Sequence, residues 1–196
     1  MKSLVEKYQN IVTPEELLEF MNQYFSYGYL GKDGRLFVPT DTDFDDSWYL
    51  NYQLQGVDDI LDTRIGNCFD MVEFEREWFF SHGYQNKTFF EMVKVDYINP
   101  YPMHSFLVYQ NDNSWYLFEF SDTKYRGIFK FSDLSELLEY QRSNYVSILK
   151  ENNILEEELE SIVIKEYDKL HRGISAEEYL NLSLIHISEP TRQEAI

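Results

Sequence analysis

Apolar residues recur along this chain with two different periods. The first part reads as helices. Leu17, Leu18, Met21 and Phe25 fall on one helical face. Thr13-Pro14-Glu15-Glu16 ahead of them supplies an N-cap, a proline at the first helical position and a capping-box glutamate. The helix is predicted to run to Phe25, with residues 1–12 a lead-in of no defined structure, and Tyr27-Gly28-Tyr29 ends it. Gly31-Lys32-Asp33-Gly34 reads as a turn. Residues 39–47 read as an acidic loop, and Val57–Leu61 as a short helix. After the turn dipeptide Gly66-Asn67, apolar residues at 68, 71, 72, 74, 78 and 79 predict a long, largely buried helix, closed by Ser81-His82-Gly83-Tyr84 with Gly83 as C-cap.

The period then shortens to two. Thr88–Asp96, His104–Gln110, Trp115–Phe120 and Gly127–Phe131 are rich in aromatic and β-branched residues and read as strands. Pro100-Tyr101-Pro102 connects the first two. Residues 110–114 form a hairpin loop that makes the second and third strands antiparallel neighbours. Ser132–Glu136 caps a helix to about Lys150. Residues 153–170 are an acidic amphipathic segment in which Ile162-Val163-Ile164 is a candidate edge strand, and Ser175–Leu180 opens a last helical turn. Helices on either side of a run of strands define an α+β fold: N-terminal helices, including the central cysteine helix, packed on an antiparallel sheet, then C-terminal helices. Residues 1–182 read as a single domain. Residues 183–196 resemble a translated sequencing adaptor and are set aside as non-native, His186 with them.

Composition narrows the function classes. The chain has 196 residues with a formal charge of −18, which argues against nucleic acid or an anionic membrane as partner, since both need a basic patch. One cysteine excludes an internal disulfide framework or a cysteine-rich zinc site. Asp41, Asp43 and Asp45 alternate as in a calcium loop, but Asp46 stands where glycine is needed and Tyr52 where glutamate is, so residues 39–47 read as solvated. No metal and no cofactor is expected. The start lacks a hydrophobic signal region and no apolar run reaches membrane length, so a soluble cytoplasmic protein is expected.

The single cysteine, Cys68, sits at the start of the central helix, where unpaired N–H groups and the positive end of the helix dipole favour a thiolate, the nucleophilic form. With His186 set aside, His82, His104 and His171 are the candidate bases. His82 lies at a helix end and reads as a capping or surface residue. His104 opens a strand, and folding the hairpin brings Glu119 roughly opposite it, where a carboxylate can orient the imidazole and stabilise its charged form. Asp122 is the alternative third member. Asp70 and Glu73 read as helix-dipole and surface charges. Gln53 and Gln55 are candidate side-chain donors to an oxyanion. Trp48 and Trp115 are candidate groove walls, with core packing the stronger reading for at least one of them.

Gly66-Asn67-Cys68 leading into a helix, His104 opening an aromatic strand, and Trp115-Tyr116-Leu117-Phe118-Glu119 on the next strand resemble the transglutaminase-like superfamily, and a bacterial branch of it, over about residues 55–131. That family's pattern is a Gly-x-Cys turn into a helix, a His opening a strand and Trp-x-x-x-Asp. Here Glu119 stands for the Asp, and Phe120-Ser121-Asp122 replaces the Pro-Thr common after it. The resemblance implies a papain-like α+β fold and cysteine-dependent acyl transfer on peptide or protein amides, by proteolysis, deamidation or cross-linking, with Cys68, His104 and Glu119 as the triad. The alternative is a module of the same fold that binds without turnover.

Overall fold

The computed structural model describes residues 3–93, 103–153, 159 and 161–179, with residues 45–47 and 49 described by backbone only. Its centre is α5, Cys68–Ser81, which carries ten buried residues. A sheet of five strands lies against it in the order β8-β7-β6-β5-β9. These strands are β5 (Gln85–Val93), β6 (His104–Asn111), β7 (Ser114–Glu119), β8 (Gly127–Phe131) and β9 (Ile162–Tyr167), and every neighbouring pair is antiparallel. The mixed fold with an antiparallel sheet is therefore α+β.

Strand alternation gives the sheet two covered faces. On one, Leu107, Tyr109, Phe118 and Phe120 pack against Met71, Val72, Phe74, Trp78 and Phe79 of α5. Outside α5 lie α2 (Pro14–Tyr24) and α4 (Val57–Thr63), which add Leu17, Phe20, Met21, Ile60 and Leu61 to the same core. On the other face Phe89, Phe106, Val108 and Leu117 meet Leu137 of α6, Leu134–Glu151. Burying each of these side chains is worth about 1.5–3 kcal/mol.

Local signals in the sequence hold where the backbone needs them. Thr13 and Glu16 form the capping box of α2, with Pro14 in the first turn. The β6–β7 turn is tight: Asp112 and Asn113 both take positive φ, 48° and 63°, the pair a two-residue hairpin with matching twist requires. His82 is the C-cap of α5, and Gly83 beyond it takes φ 78°. Ile162–Tyr167 is the edge strand of the sheet, paired with β5.

Two readings change. Residues 4–8 form a short helix, α1 (Leu4–Tyr8), closed by a Ser3–Glu6 capping box. The acidic loop ends early, because α3 begins at Phe44 and runs to Asn51. Asp43 is held by a bidentate ion pair with Arg35 (2.7 and 2.9 Å), and Asp41 accepts the Val38 N–H. The first strand ends at Val93 as described; residues 94–102, with Asp96 and the Pro100–Pro102 connection, lie outside the described residues, as do residues 154–158 and 180–196. Among the described residues no helix is long and apolar enough to cross a membrane.

Candidate active site

The entry to α5 is fixed before the chemistry begins. β4 (Ile65–Gly66) pairs in parallel with β1 (Ser26–Tyr27), and the Gly28 N–H reaches the Gly66 carbonyl at 3.2 Å. A Cβ on Gly66 would lie 2.8 Å from Cβ of Asp70 and 2.9 Å from Cε of Met71. Only glycine lets the chain pass this close before turning into the helix. Asn67 then caps α5: its Oδ1 accepts the N–H groups of Phe69 and Asp70 (3.0 and 3.2 Å), while Asp70 Oδ2 accepts the Asn67 N–H at 3.1 Å. Cys68 occupies the first helical position and is 4% exposed. Among the described residues nothing caps its own N–H.

The base and its orienter come from the sheet. Pairing of β6 with β7 ends at Leu107–Phe118, so the two strands part before His104 is reached. Continuing that register sets Glu119 beside Phe106, and it meets His104 diagonally rather than directly opposite. His104 Nε2 and Glu119 Oε2 are 2.7 Å apart, and Glu119 Oε1 accepts the Asp122 N–H at 2.8 Å. Both carboxylate oxygens are held, which makes the glutamate's extra methylene no obstacle to a fixed orientation. Asp122 serves the site through its backbone; its carboxylate accepts the Lys124 N–H.

Electrostatics point the same way. Burial alone would lower the proton affinity of His104. The Glu119 charge and hydrogen bonding with Cys68 and Glu119 outweigh it and hold the imidazole well above its ordinary value. With Nε2 turned to Glu119, Nδ1 is the ring nitrogen left for the thiol. The described structure therefore brings Cys68, His104 and Glu119 together.

The other candidates are placed as follows. Gln55 is buried with its amide engaged: Nε2 donates to the Ile65 carbonyl at 2.8 Å and Oε1 accepts from the Thr63 hydroxyl at 2.9 Å. Gln53 sits in an isolated bridge to Ser175. Trp48 is half-buried, stacked on Tyr52 at 5.8 Å and near Phe69 at 6.1 Å, within the cluster that includes Cys68. Trp115 pairs with Gln110 at the far end of the sheet and packs with Leu117 toward α6, about 20 Å along the strand from His104 at the usual rise per residue. His82 bonds the carbonyls of Trp78 and Ile11 (2.8 and 3.0 Å), consistent with a cap.

Asp70 and Glu73 are not surface charges. Asp70 is fully buried and takes hydrogen bonds from Tyr52, Gln55 and Asn67; burial, opposed by these bonds, pushes its carboxyl up to about 6. Burial likewise pushes Glu73 up to about 7 against the nearby Arg76 charge. Two further acids went unread in the sequence. Glu91 stands across from His104 in the β5–β6 register, accepts Gln141 Nε2 at 2.8 Å, and is pushed up to about 8 by burial. Glu75 is 1% exposed, and its carboxyl is raised well above the ordinary range by burial and then by the Glu119 charge. The signals for both were present. Glu75 follows Cys68 by two helical turns, and Glu91 sits in an aromatic run as Glu119 does.

A groove of about 470 Å³ opens at His104, bounded by Tyr27, Pro39, Met103, Asp122 and Tyr145. No protein-family model matches the chain, and no match was found among curated proteins or solved structures.

Proposed function

We propose that this protein is a cysteine-dependent acyl-transfer enzyme acting on amide bonds of peptides or proteins, with a transglutaminase-like, papain-like arrangement of its α+β fold. The observation that carries the reading is His104 fixed by Glu119 at 2.7 Å and near enough to the thiol of the chain's single cysteine for that thiol to raise its proton affinity. A structural cysteine needs no such partner, whereas a nucleophile needs a base and the base needs an orienter.

In this mechanism Cys68 Sγ attacks the amide carbonyl carbon and its proton resides on His104. The carbonyl oxygen becomes an oxyanion facing the free Cys68 N–H. His104 passes its proton to the leaving nitrogen as the C–N bond breaks, and a thioester remains. Water, deprotonated by His104, attacks the thioester and releases the acid; an amine in place of water gives cross-linking. Glu119 holds the imidazole and stabilises its charged form throughout. The groove beside His104 takes the substrate, and neither metal nor cofactor enters any step.

The test is a chromogenic ester. On incubation with p-nitrophenyl acetate, Cys68 displaces p-nitrophenolate and becomes S-acetylated, which intact-mass and peptide mapping detect. Cys68→Ala is expected to abolish the adduct while keeping the native circular dichroism, and His104→Ala to abolish it at a cost in stability, because Glu119 then loses its buried partner. A wild-type protein that neither gains an acetyl group on Cys68 nor releases p-nitrophenolate faster than Cys68→Ala overturns the reading. A second reading, a module of this fold that binds peptide without turnover, is favoured by the depth of Cys68, 4% exposed; it predicts peptide binding that survives Cys68→Ala with no adduct in the wild type.

A further inference from the structure

An oxyanion site made by one backbone N–H is incomplete, and the sequence offered Gln53 or Gln55 for the other half. The Gln55 amide is turned away into hydrogen bonds with Ile65 and Thr63, and Gln53 is tied by its backbone to Ser175. The residue next to the nucleophile is different. Asn67 is 3% exposed and its Nδ2 has no hydrogen-bond partner. A buried amide left without a partner costs on the order of 1–3 kcal/mol, so its retention asks for a reason.

Its orientation is not in question. Oδ1 is the only end of the amide that can accept from the Phe69 and Asp70 N–H groups, so Nδ2 must be the other end. With Oδ1 turned to the second and third helical N–H groups, Nδ2 is the end of the amide that faces away from them. The Cys68 N–H, at the first helical position, is directed off the helix end and is uncapped among the described residues. Two uncommitted donors, on adjacent residues, therefore stand at the helix start that carries the nucleophile, and the cap fixes the Asn67 amide. Rigid donors that need no reorganisation are what a developing oxyanion requires.

We propose that Asn67 is a catalytic residue: its Nδ2 and the Cys68 N–H together bind the oxyanion of the tetrahedral intermediate formed on Cys68. The inference rests on the acyl-transfer reading above. One side chain thus does two jobs, capping α5 with its oxygen and stabilising the transition state with its nitrogen.

The test separates the two jobs. Asn67→Ser keeps an oxygen that caps the helix and removes the nitrogen donor. Two reactions of Cys68 are then compared. Alkylation by iodoacetamide forms no oxyanion, and acetylation by p-nitrophenyl acetate does. Asn67→Ser is expected to leave alkylation essentially unchanged and to slow acetylation by roughly a hundredfold, the lower end of the range for loss of one oxyanion donor. Acetylation at the wild-type rate overturns the proposal. An equal slowing of both reactions also overturns it, because Asn67 would then act through the nucleophile. If the serine variant does not fold, Asn67→Thr retains a cap and carries the same expectations. A wild type that is never acetylated removes the acyl-transfer reading itself, whereas an acetylated wild type with an equally reactive Asn67→Ser removes only the role of Asn67.

Discussion

At the scale of single residues, the site depends on pairs that are each incomplete alone. Glu119 is buried with one oxygen on His104 and the other on the Asp122 N–H. Replacing it with Ala leaves a buried imidazole without its counter-charge, and breaking such a pair costs about 3–5 kcal/mol. Glu119→Ala is therefore expected to lower thermal stability as well as Cys68 acetylation. Glu119→Gln preserves shape and most stability but withdraws the charge, and acetylation is expected to fall at least tenfold, as loss of an oriented, charge-stabilised base predicts. Denaturant melts and the acetylation assay check both. The sequence allowed Cys68, His104 and Glu119 to be picked out because each sits at an element end or breaks an apolar pattern. Glu75 and Glu91 escaped because their meaning lies in what other elements place around them, and the Nδ2 of Asn67 because only the fold shows which end of that amide is left without a partner. The pattern of α5 shows acids at 70, 73 and 75 but not that Tyr52, Gln55 and the sheet close over them.

At the scale of elements, the arrangement follows from one helix entry and one fork in the sheet. Gly66 permits the close turn into α5, so Gly66→Ala must displace Asp70 or Met71 and is expected to lower stability and shift Cys68 from His104. The β6–β7 turn fixes the register that carries Glu119 to His104. Asn113 has φ 63°, a conformation β-branched residues avoid, so Asn113→Val is expected to cost about 1–2 kcal/mol. Trp115 tests the distinction between core and groove: Trp115→Ala is expected to lower the melting temperature and leave the acetylation rate of the folded protein unchanged. Long periodic elements were legible in the sequence, and α2, α5, α6 and the hairpin lie where the pattern puts them. Short ones were not. The Ser3–Glu6 box of α1 was present, but five residues give too little periodicity to read, and the aspartates before α3 masked its start.

At the scale of the whole molecule, buried acids set an unusual pH response. Asp70, Glu73 and Glu91 are pushed up to about 6, 7 and 8, Glu75 is raised as well, and His104 is held above its ordinary value. Each of these groups holds its proton more tightly folded than unfolded. The stability they contribute is complete below their ordinary values and is lost as pH rises through the folded ones. For the carboxyls that window runs from the ordinary carboxylate range to about 8. The formal charge of −18 adds self-repulsion in the same direction. The melting temperature is expected to fall between mildly acidic and mildly alkaline pH, and Glu91→Gln, which keeps the Gln141 bond, is expected to make that fall shallower. The central claim is that Cys68 is a nucleophile activated by His104, and the most direct measurement is the rate of Cys68 alkylation by iodoacetamide in slightly acidic buffer, for the wild type and for His104→Ala. The account predicts a wild-type rate well above that of a free thiol such as glutathione, falling by at least tenfold when His104 is removed. A wild-type rate at or below that of glutathione, unchanged in His104→Ala, would contradict it.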